Sequence, residues 1–171
     1  MKNIFLIGYM GTGKSTVASF LCDENNRDIV EMDETIEKQE NMSISDMFQR
    51  YGEAYFRDAE SELLRTISME ENKVVSCGGG IVLRKENVAL MRKTGIVILL
   101  SARPETILKR VKDDTNRPLL QGNKNLEYIR EMMESRREKY EKAAEYIIET
   151  DDKTIEEICS EILKKVGEEE K

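Results

Sequence analysis

Ile4-Phe5-Leu6-Ile7-Gly8-Tyr9-Met10-Gly11-Thr12-Gly13-Lys14-Ser15 decides the fold. The four leading apolar residues read as a buried strand. Gly8 to Ser15 fit the phosphate-loop pattern G-x-x-x-x-G-K-[ST], and the residues beyond place Val17, Phe20 and Leu21 on one face of a helix. Strand, loop and helix in that order is the setting the pattern requires. Gly8, Gly11 and Gly13 let the backbone turn and approach a phosphate with no Cβ in the way. Loop amides and the helix N-terminus then face the anion, Lys14 brings positive charge to the β- and γ-phosphates, and Ser15 offers a hydroxyl to Mg²⁺. Average residue frequencies give a chance match in such a chain about one time in a hundred or less. The loop is therefore read as a nucleoside triphosphate site, not an incidental glycine-rich turn.

Outward from this stretch, the apolar runs Ile29–Met32, Val74–Cys77, Ile96–Leu100 and Tyr146–Ile148 read as four more strands. Helical periodicity fills the intervals: Lys14–Asp23, Ala54–Met69, Lys85–Lys93, Glu105–Lys112 and Leu126–Ala144. A last helix opens on a capping box, Thr154 with Glu157. Strands alternating with helices predict an α/β three-layer sandwich: a five-stranded parallel sheet with helices on both faces and ligands at the carboxyl ends of the strands. The 171 residues suffice for one such core, and no repeat or low-complexity linker divides them, so residues 1–171 are expected to form a single domain. Two stretches depart from the plan. Residues 33–60 add helical material between the second and third strands, an expected substrate-gripping insertion. Residues 112–124 are polar and aperiodic, a candidate lid over a nucleotide or else an ordinary surface loop.

Composition narrows the chemistry. A net charge of −7 argues against a nucleic-acid partner, and no apolar run approaches the roughly 20 residues of a membrane span. The chain runs from Met1 straight into a core strand, with no leader expected. Cys22, Cys77 and Cys159 are isolated and read as reduced thiols of a cytoplasmic protein. There is no histidine, which excludes Ser–His and Cys–His catalysis and histidine metal ligation. A general base must be a carboxylate, lysine, cysteine or tyrosine.

Charges in apolar settings carry more information than solvated ones. Glu60 falls on the stripe Phe56, Glu60, Leu63, Ile67, and Arg57 precedes it by one helical turn, so the two pair either as a structural ion pair or as part of a ligand clamp. Arg136 falls on the stripe Ile129, Met133, Arg136, Tyr140, as a ligand-facing group or a snorkelling rim arginine. Asp33 ends the second strand, where a carboxylate faces the ligand crevice, orients Mg²⁺ or accepts from a substrate hydroxyl; it also fits a helix N-cap. Gly78-Gly79-Gly80 follows the third strand and allows the backbone to wrap a small ligand, more than a tight turn needs. Ser76 stands where it can support the water shell of a metal.

Taken in order, these features resemble the shikimate kinase family: the phosphate loop, the acidic strand end before Asp33, Phe56-Arg57-x-x-Glu60, Gly78–Gly80, Arg117-Pro118-Leu119-Leu120, and Arg136 on a late helix. The resemblance covers residues 4 to about 150 and implies a P-loop, nucleoside-monophosphate-kinase-like fold. It implies transfer of the ATP γ-phosphoryl group to the 3-hydroxyl of shikimate, on the route to aromatic amino acids, with Mg²⁺. Gly11, Thr12, Gly13, Lys14, Ser15 and Thr16 would hold the ATP phosphates, with Ser15 on the metal. Arg110 would stack on adenine, Lys153 falls in the adenine-loop segment, and Arg117 in the lid would reach the phosphates. Asp33 would hold the attacking hydroxyl, as base. Arg57 and Arg136 would clamp the shikimate carboxylate, Glu60 would orient Arg57 and meet a hydroxyl, and Gly78, Gly79 and Gly80 would offer amides. A cytoplasmic monomer without nucleic-acid or membrane partners is expected. The chain departs from the family in having Glu31-Met32-Asp33 where Asp-x-Asp is usual, and in lacking a proline within Thr150–Thr154. The rival readings are a gluconate or nucleoside-monophosphate kinase, a guanine-nucleotide switch (for which Asn-Lys-x-Asp is missing), and a relative that binds without transferring.

Overall fold

β1 (Asn3–Ile7) is buried on both faces and takes the centre of the sheet. In the computed structural model, which describes residues 1–112 and 125–169, its neighbours are β3 (Lys73–Ser76) and β4 (Gly95–Ser101), with β2 (Asp28–Glu31) and β5 (Tyr146–Glu149) at the edges. The order is β2-β3-β1-β4-β5, and every pairing is parallel. The chain crosses from one side of β1 to the other between β3 and β4, which opens a crevice at the carboxyl end of β1.

Alternation along the strands builds two cores. Ile4, Leu6, Val74, Ile96, Ile98 and Ile148 face one way, covered by α1 (Lys14–Asn25) and α8 (Ile155–Glu169). Phe5, Ile7, Val75, Val97 and Leu99 face the other. There they meet α2 (Met32–Glu40), α4 (Glu53–Ile67), α5 (Lys85–Thr94), α6 (Pro104–Val111) and α7 (Leu126–Ala143). This is the expected three-layer arrangement, with strand ends within a residue or two of those read from the apolar runs.

Residues 33–60 are occupied by α2, α3 (Ile44–Tyr51) and the first half of α4. Asn41, in the left-handed region at φ 51°, ends α2, and the Ser43 hydroxyl caps α3 by accepting from the Asp46 amide at 3.1 Å. The structure corrects the setting of Asp33. The second strand stops at Glu31, and Met32 already begins α2, so Asp33 lies in the first helical turn and is neither the strand end nor the cap. An acidic first turn suits the positive end of the helix dipole. Among the described residues no helix is long and apolar enough to cross a membrane.

Candidate active site

The phosphate loop leaves β1 and closes on α6. At Gly11 the backbone has φ +81°, and a Cβ would sit 2.8 Å from Val111 Cγ1, so both the turn and the packing require glycine. Lys14, the first residue of α1, is buried and folds back across the loop, its Nζ donating to Gly8 O at 2.7 Å and Tyr9 O at 3.1 Å. Gly11, Gly13, Lys14, Ser15 and Thr16 line a cavity of about 1030 Å³. That is the upper end of the range for small-molecule sites and suits two substrates. Thr12 is turned inward, its hydroxyl donating to Tyr9 O at 2.9 Å, so its side chain holds the loop's shape. Arg110 lies on the same cavity and clips the loop from α6, donating to Gly11 O at 3.0 Å.

The Ser15 hydroxyl donates to Glu31 Oε2 at 2.9 Å and lies 3.4 Å from Ser76 Oγ. Sheet register sets this up, because Glu31 and Ser76 are paired residues of neighbouring strands. The longer Glu31 side chain therefore reaches the P-loop serine. Among the described residues no group of three or more carboxylate or thiol side chains forms a cage for a metal. A single hydroxyl flanked by a carboxylate and a second hydroxyl fits Mg²⁺, which keeps waters and takes its other ligands from substrate phosphates.

At the other end of the cavity each of the three glycines meets a different predicted residue. A Cβ on Gly78 would lie 2.7 Å from Asp33 Oδ1 and 2.8 Å from Glu60 Oε2. On Gly79 it would meet Arg136 Nη1 at 3.6 Å and the Tyr140 hydroxyl at 3.7 Å, and on Gly80 it would overlap the Arg57 guanidinium. None of the three has a positive φ, so at Gly78 and Gly80 it is close approach and not the turn that calls for glycine, while the distances at Gly79 are ordinary contacts. Arg57 is held on α4 by Glu60 Oε1 at 3.1 Å and Glu53 Oε1 at 3.1 Å, and its guanidinium sits over the Phe56 ring at 5.1 Å. Glu60 is completely buried, and burial pushes its carboxyl up to about 7 against the opposing pull of Arg57, with the Asp33 charge adding to the rise. Arg136 is almost as buried, beside Tyr140, whose hydroxyl donates to Gly79 O. Cys77, fully buried between β3 and the glycines, has its thiol pushed well up by desolvation and serves as an inert wall.

The structure thus gathers Lys14, Ser15, Asp33, Arg57, Glu60, Gly78–Gly80, Arg110 and Arg136 around one cavity or directly behind its wall. Lys153 is not among the described residues lining that cavity; its Nζ pairs with Glu161 of α8 at 2.8 Å. Arg117 and the lid segment beyond Lys112 lie outside the described residues. Sequence reasoning missed two supports. Glu53 was signalled by its i, i+4 spacing to Arg57. Tyr140 was read as core, but a buried tyrosine needs a partner for its hydroxyl.

A parallel sheet with a phosphate loop at its switch point, sharing one cavity with a carboxylate and a glycine turn that has two arginines directly behind it, defines an ATP-dependent small-molecule kinase of the P-loop class. The shikimate kinase family profile matches residues 10–167, and the chain belongs to that family. A shikimate kinase of Thermodesulfovibrio yellowstonii is 43% identical over 96% of this chain and 94% of its own. Among solved structures, a shikimate kinase from Acinetobacter baumannii in complex with shikimate superposes with a TM-score of 0.94 at 31% identity, covering 99% of this chain and 94% of that one. That from Aquifex aeolicus gives 0.84 at 38% identity, covering 98% and 97%.

Proposed function

We propose that this chain transfers the γ-phosphoryl group of ATP to the 3-hydroxyl of shikimate, giving shikimate 3-phosphate and ADP. The observation that carries the reading is the single cavity joining the phosphate loop to Asp33, Gly78 and Gly79, with Arg57 and Arg136 set directly behind that turn. Shikimate is a small anion bearing hydroxyls. Two guanidinium groups suit its carboxylate, and one carboxylate suits its nucleophilic hydroxyl. Asp33 accepts the proton of the 3-hydroxyl as the new O–P bond forms and the bond to ADP breaks. Lys14, already in place over the loop, stabilises charge on the transferred group, and Arg110 covers the nucleotide side. Ser15 would hold Mg²⁺, with Glu31 and Ser76 beside it, and the ion when bound offsets phosphate charge.

The remainder of the proposal concerns the whole chain. Residues 1–171 act as one kinase domain, with residues 33–60 gripping the acceptor and residues 112–124 closing over ATP through Arg117. Lys153 serves the adenine side. The enzyme works as a cytoplasmic monomer, without nucleic-acid or membrane partners. A coupled assay of ADP release with shikimate, gluconate and AMP as acceptors tests this. Turnover is expected with shikimate alone; turnover with gluconate or AMP in its place overturns it.

A further inference from the structure

Glu60 is the most deeply buried carboxyl of the acceptor site, and its two oxygens have different surroundings. Oε1 accepts from Arg57 at 3.1 Å, while Oε2 is buried with no hydrogen bond among the described residues. Oε2 and Asp33 Oδ1 both approach the same point above the Gly78 Cα, within 2.8 Å of it, so the two carboxylates are neighbours across that glycine. Among the described residues, the charged and titratable groups facing Glu60 are few. Arg57 and Glu53 come from its own helix α4, with Glu53 half-exposed at the rim. Asp33 comes from α2, Arg136 and Tyr140 from α7, and Cys77 from the end of β3. Tyr140 and Cys77 are neutral, both pushed up by burial.

Among the described residues, the full charges that act on Glu60 are Arg57 and Arg136 on one side and Asp33 on the other, with Glu53 at the rim. An acceptor carboxylate clamped by Arg57 and Arg136 brings a third negative charge into the same space and displaces water from it. Of the three carboxylates, that of Glu60 is the least solvated. Burial has already brought it to about 7, where a proton costs little near neutral pH. An acceptor hydroxyl donating to Oε2 would favour the ionised form instead. That bond is charge-assisted, but a protonated Oε2 can donate to the same hydroxyl in its place, so the bond is kept with its direction reversed and the added charge decides.

We propose that Glu60 takes up a proton when the acceptor binds, so that the loaded site holds Glu60 as a neutral acid facing Asp33. The proton comes from solvent and goes to Oε2, the oxygen without a hydrogen bond, while Oε1 keeps the Arg57 bond. Neutral Glu60 relieves the repulsion that the added carboxylate brings and leaves Asp33 as the base of the pair at the attacking hydroxyl. The inference rests on the reading of shikimate as acceptor.

Calorimetric titration of the full chain with shikimate, without nucleotide, in buffers of different ionisation enthalpy counts the protons. With Glu60 near 7 in the free enzyme, an uptake of roughly three-quarters of a proton is expected at pH 7.5, falling to about zero at pH 5.5 where it is already protonated. Affinity falls at least about tenfold between pH 7 and pH 9. Glu60→Gln is expected to bind shikimate with an uptake near zero. Asp33→Asn, which removes one of the three negative charges, is expected to lower the uptake as well, because Glu60 then stays ionised. Binding with no uptake or with release at pH 7.5 overturns the inference, as does an uptake unchanged in either variant. No binding of shikimate in any buffer overturns the acceptor reading, and this inference with it.

Discussion

Gly78, Gly79 and Gly80 show how much of a site a residue type reveals. The run was legible as a place where backbone meets ligand. Its reason was not, because the side chains that crowd it come from α2, α4 and α7, far away in sequence. Gly78 is wedged between Asp33 and Glu60, and Gly80 lies under the Arg57 guanidinium, while Gly79 has ordinary contact distances to Arg136 and Tyr140. The three should respond differently to a methyl group. Gly78→Ala and Gly80→Ala push functional side chains out of place, and a displacement of about 1 Å at such a site costs up to about a hundredfold. Their acceptor KM is expected to rise roughly tenfold or more in steady-state assays, with the KM for ATP within about twofold. Gly79→Ala, needing no shift and no positive φ, is expected to keep a melting temperature within about 2 °C of the parent. The same residue-scale logic explains Tyr140. Its spacing marked it as core, which it is, and only the hydroxyl bond to Gly79 O makes it part of the site.

At the scale of elements, local chemistry was legible wherever it is self-contained. The capping box at the start of α8 is formed as read: the Thr154 amide donates to Glu157 Oε2 at 2.8 Å, and the Glu157 amide donates to Thr154 Oγ1 at 3.2 Å. Thr154→Ala removes one of these two bonds at an exposed helix end, a loss of about 1 kcal/mol. For a chain of this length that is a fall in melting temperature of about 2–4 °C, checked by thermal unfolding, with kinetic constants unchanged. Strands and long helices were legible for a related reason: apolar period and end signals agree there. The insertion was less so. Residues 33–60 carry helical character throughout, and the breaks at Asn41 and Gly52 are set by single left-handed residues, φ 51° and φ 84°, that periodicity does not register. Asp33 was read one element early for a similar reason. The chain turns from β2 into α2 without a loop, and Thr35 Oγ1 bonding to Glu31 O ties the two together.

The whole molecule joins two half-sites built on different parts of the sheet, and that separation has kinetic consequences. The nucleotide half hangs from β1, α1 and α6, where Arg110 clips the loop. The acceptor half hangs from α2, α4, α7 and the turn after β3. Among the described residues Asp33 is the carboxylate on the cavity wall that lies against the glycine turn, which sets it in the acceptor half by position. Arg136, supported on α7 beside Tyr140, meets the glycine turn at Gly79, which in turn lies against Gly8 O of the phosphate loop, so its guanidinium stands on the acceptor side of that junction. A charged hydrogen bond lost to a buried guanidinium is worth about 1.5–3 kcal/mol. Arg136→Ala is therefore expected to raise the KM for shikimate about ten- to a hundredfold, with the KM for ATP unchanged and kcat lowered far less. Asp33→Asn keeps the size of the side chain and its place in α2 but removes the proposed proton acceptor, so kcat is expected to fall about a hundredfold or more while both KM values move little. Steady-state kinetics on the two variants, each with one substrate saturating, separate the roles. If Asp33→Asn behaves like Arg136→Ala, weakening acceptor binding with turnover preserved, then Asp33 positions the acceptor and takes no proton, and the base must be sought outside the pair it forms with Glu60.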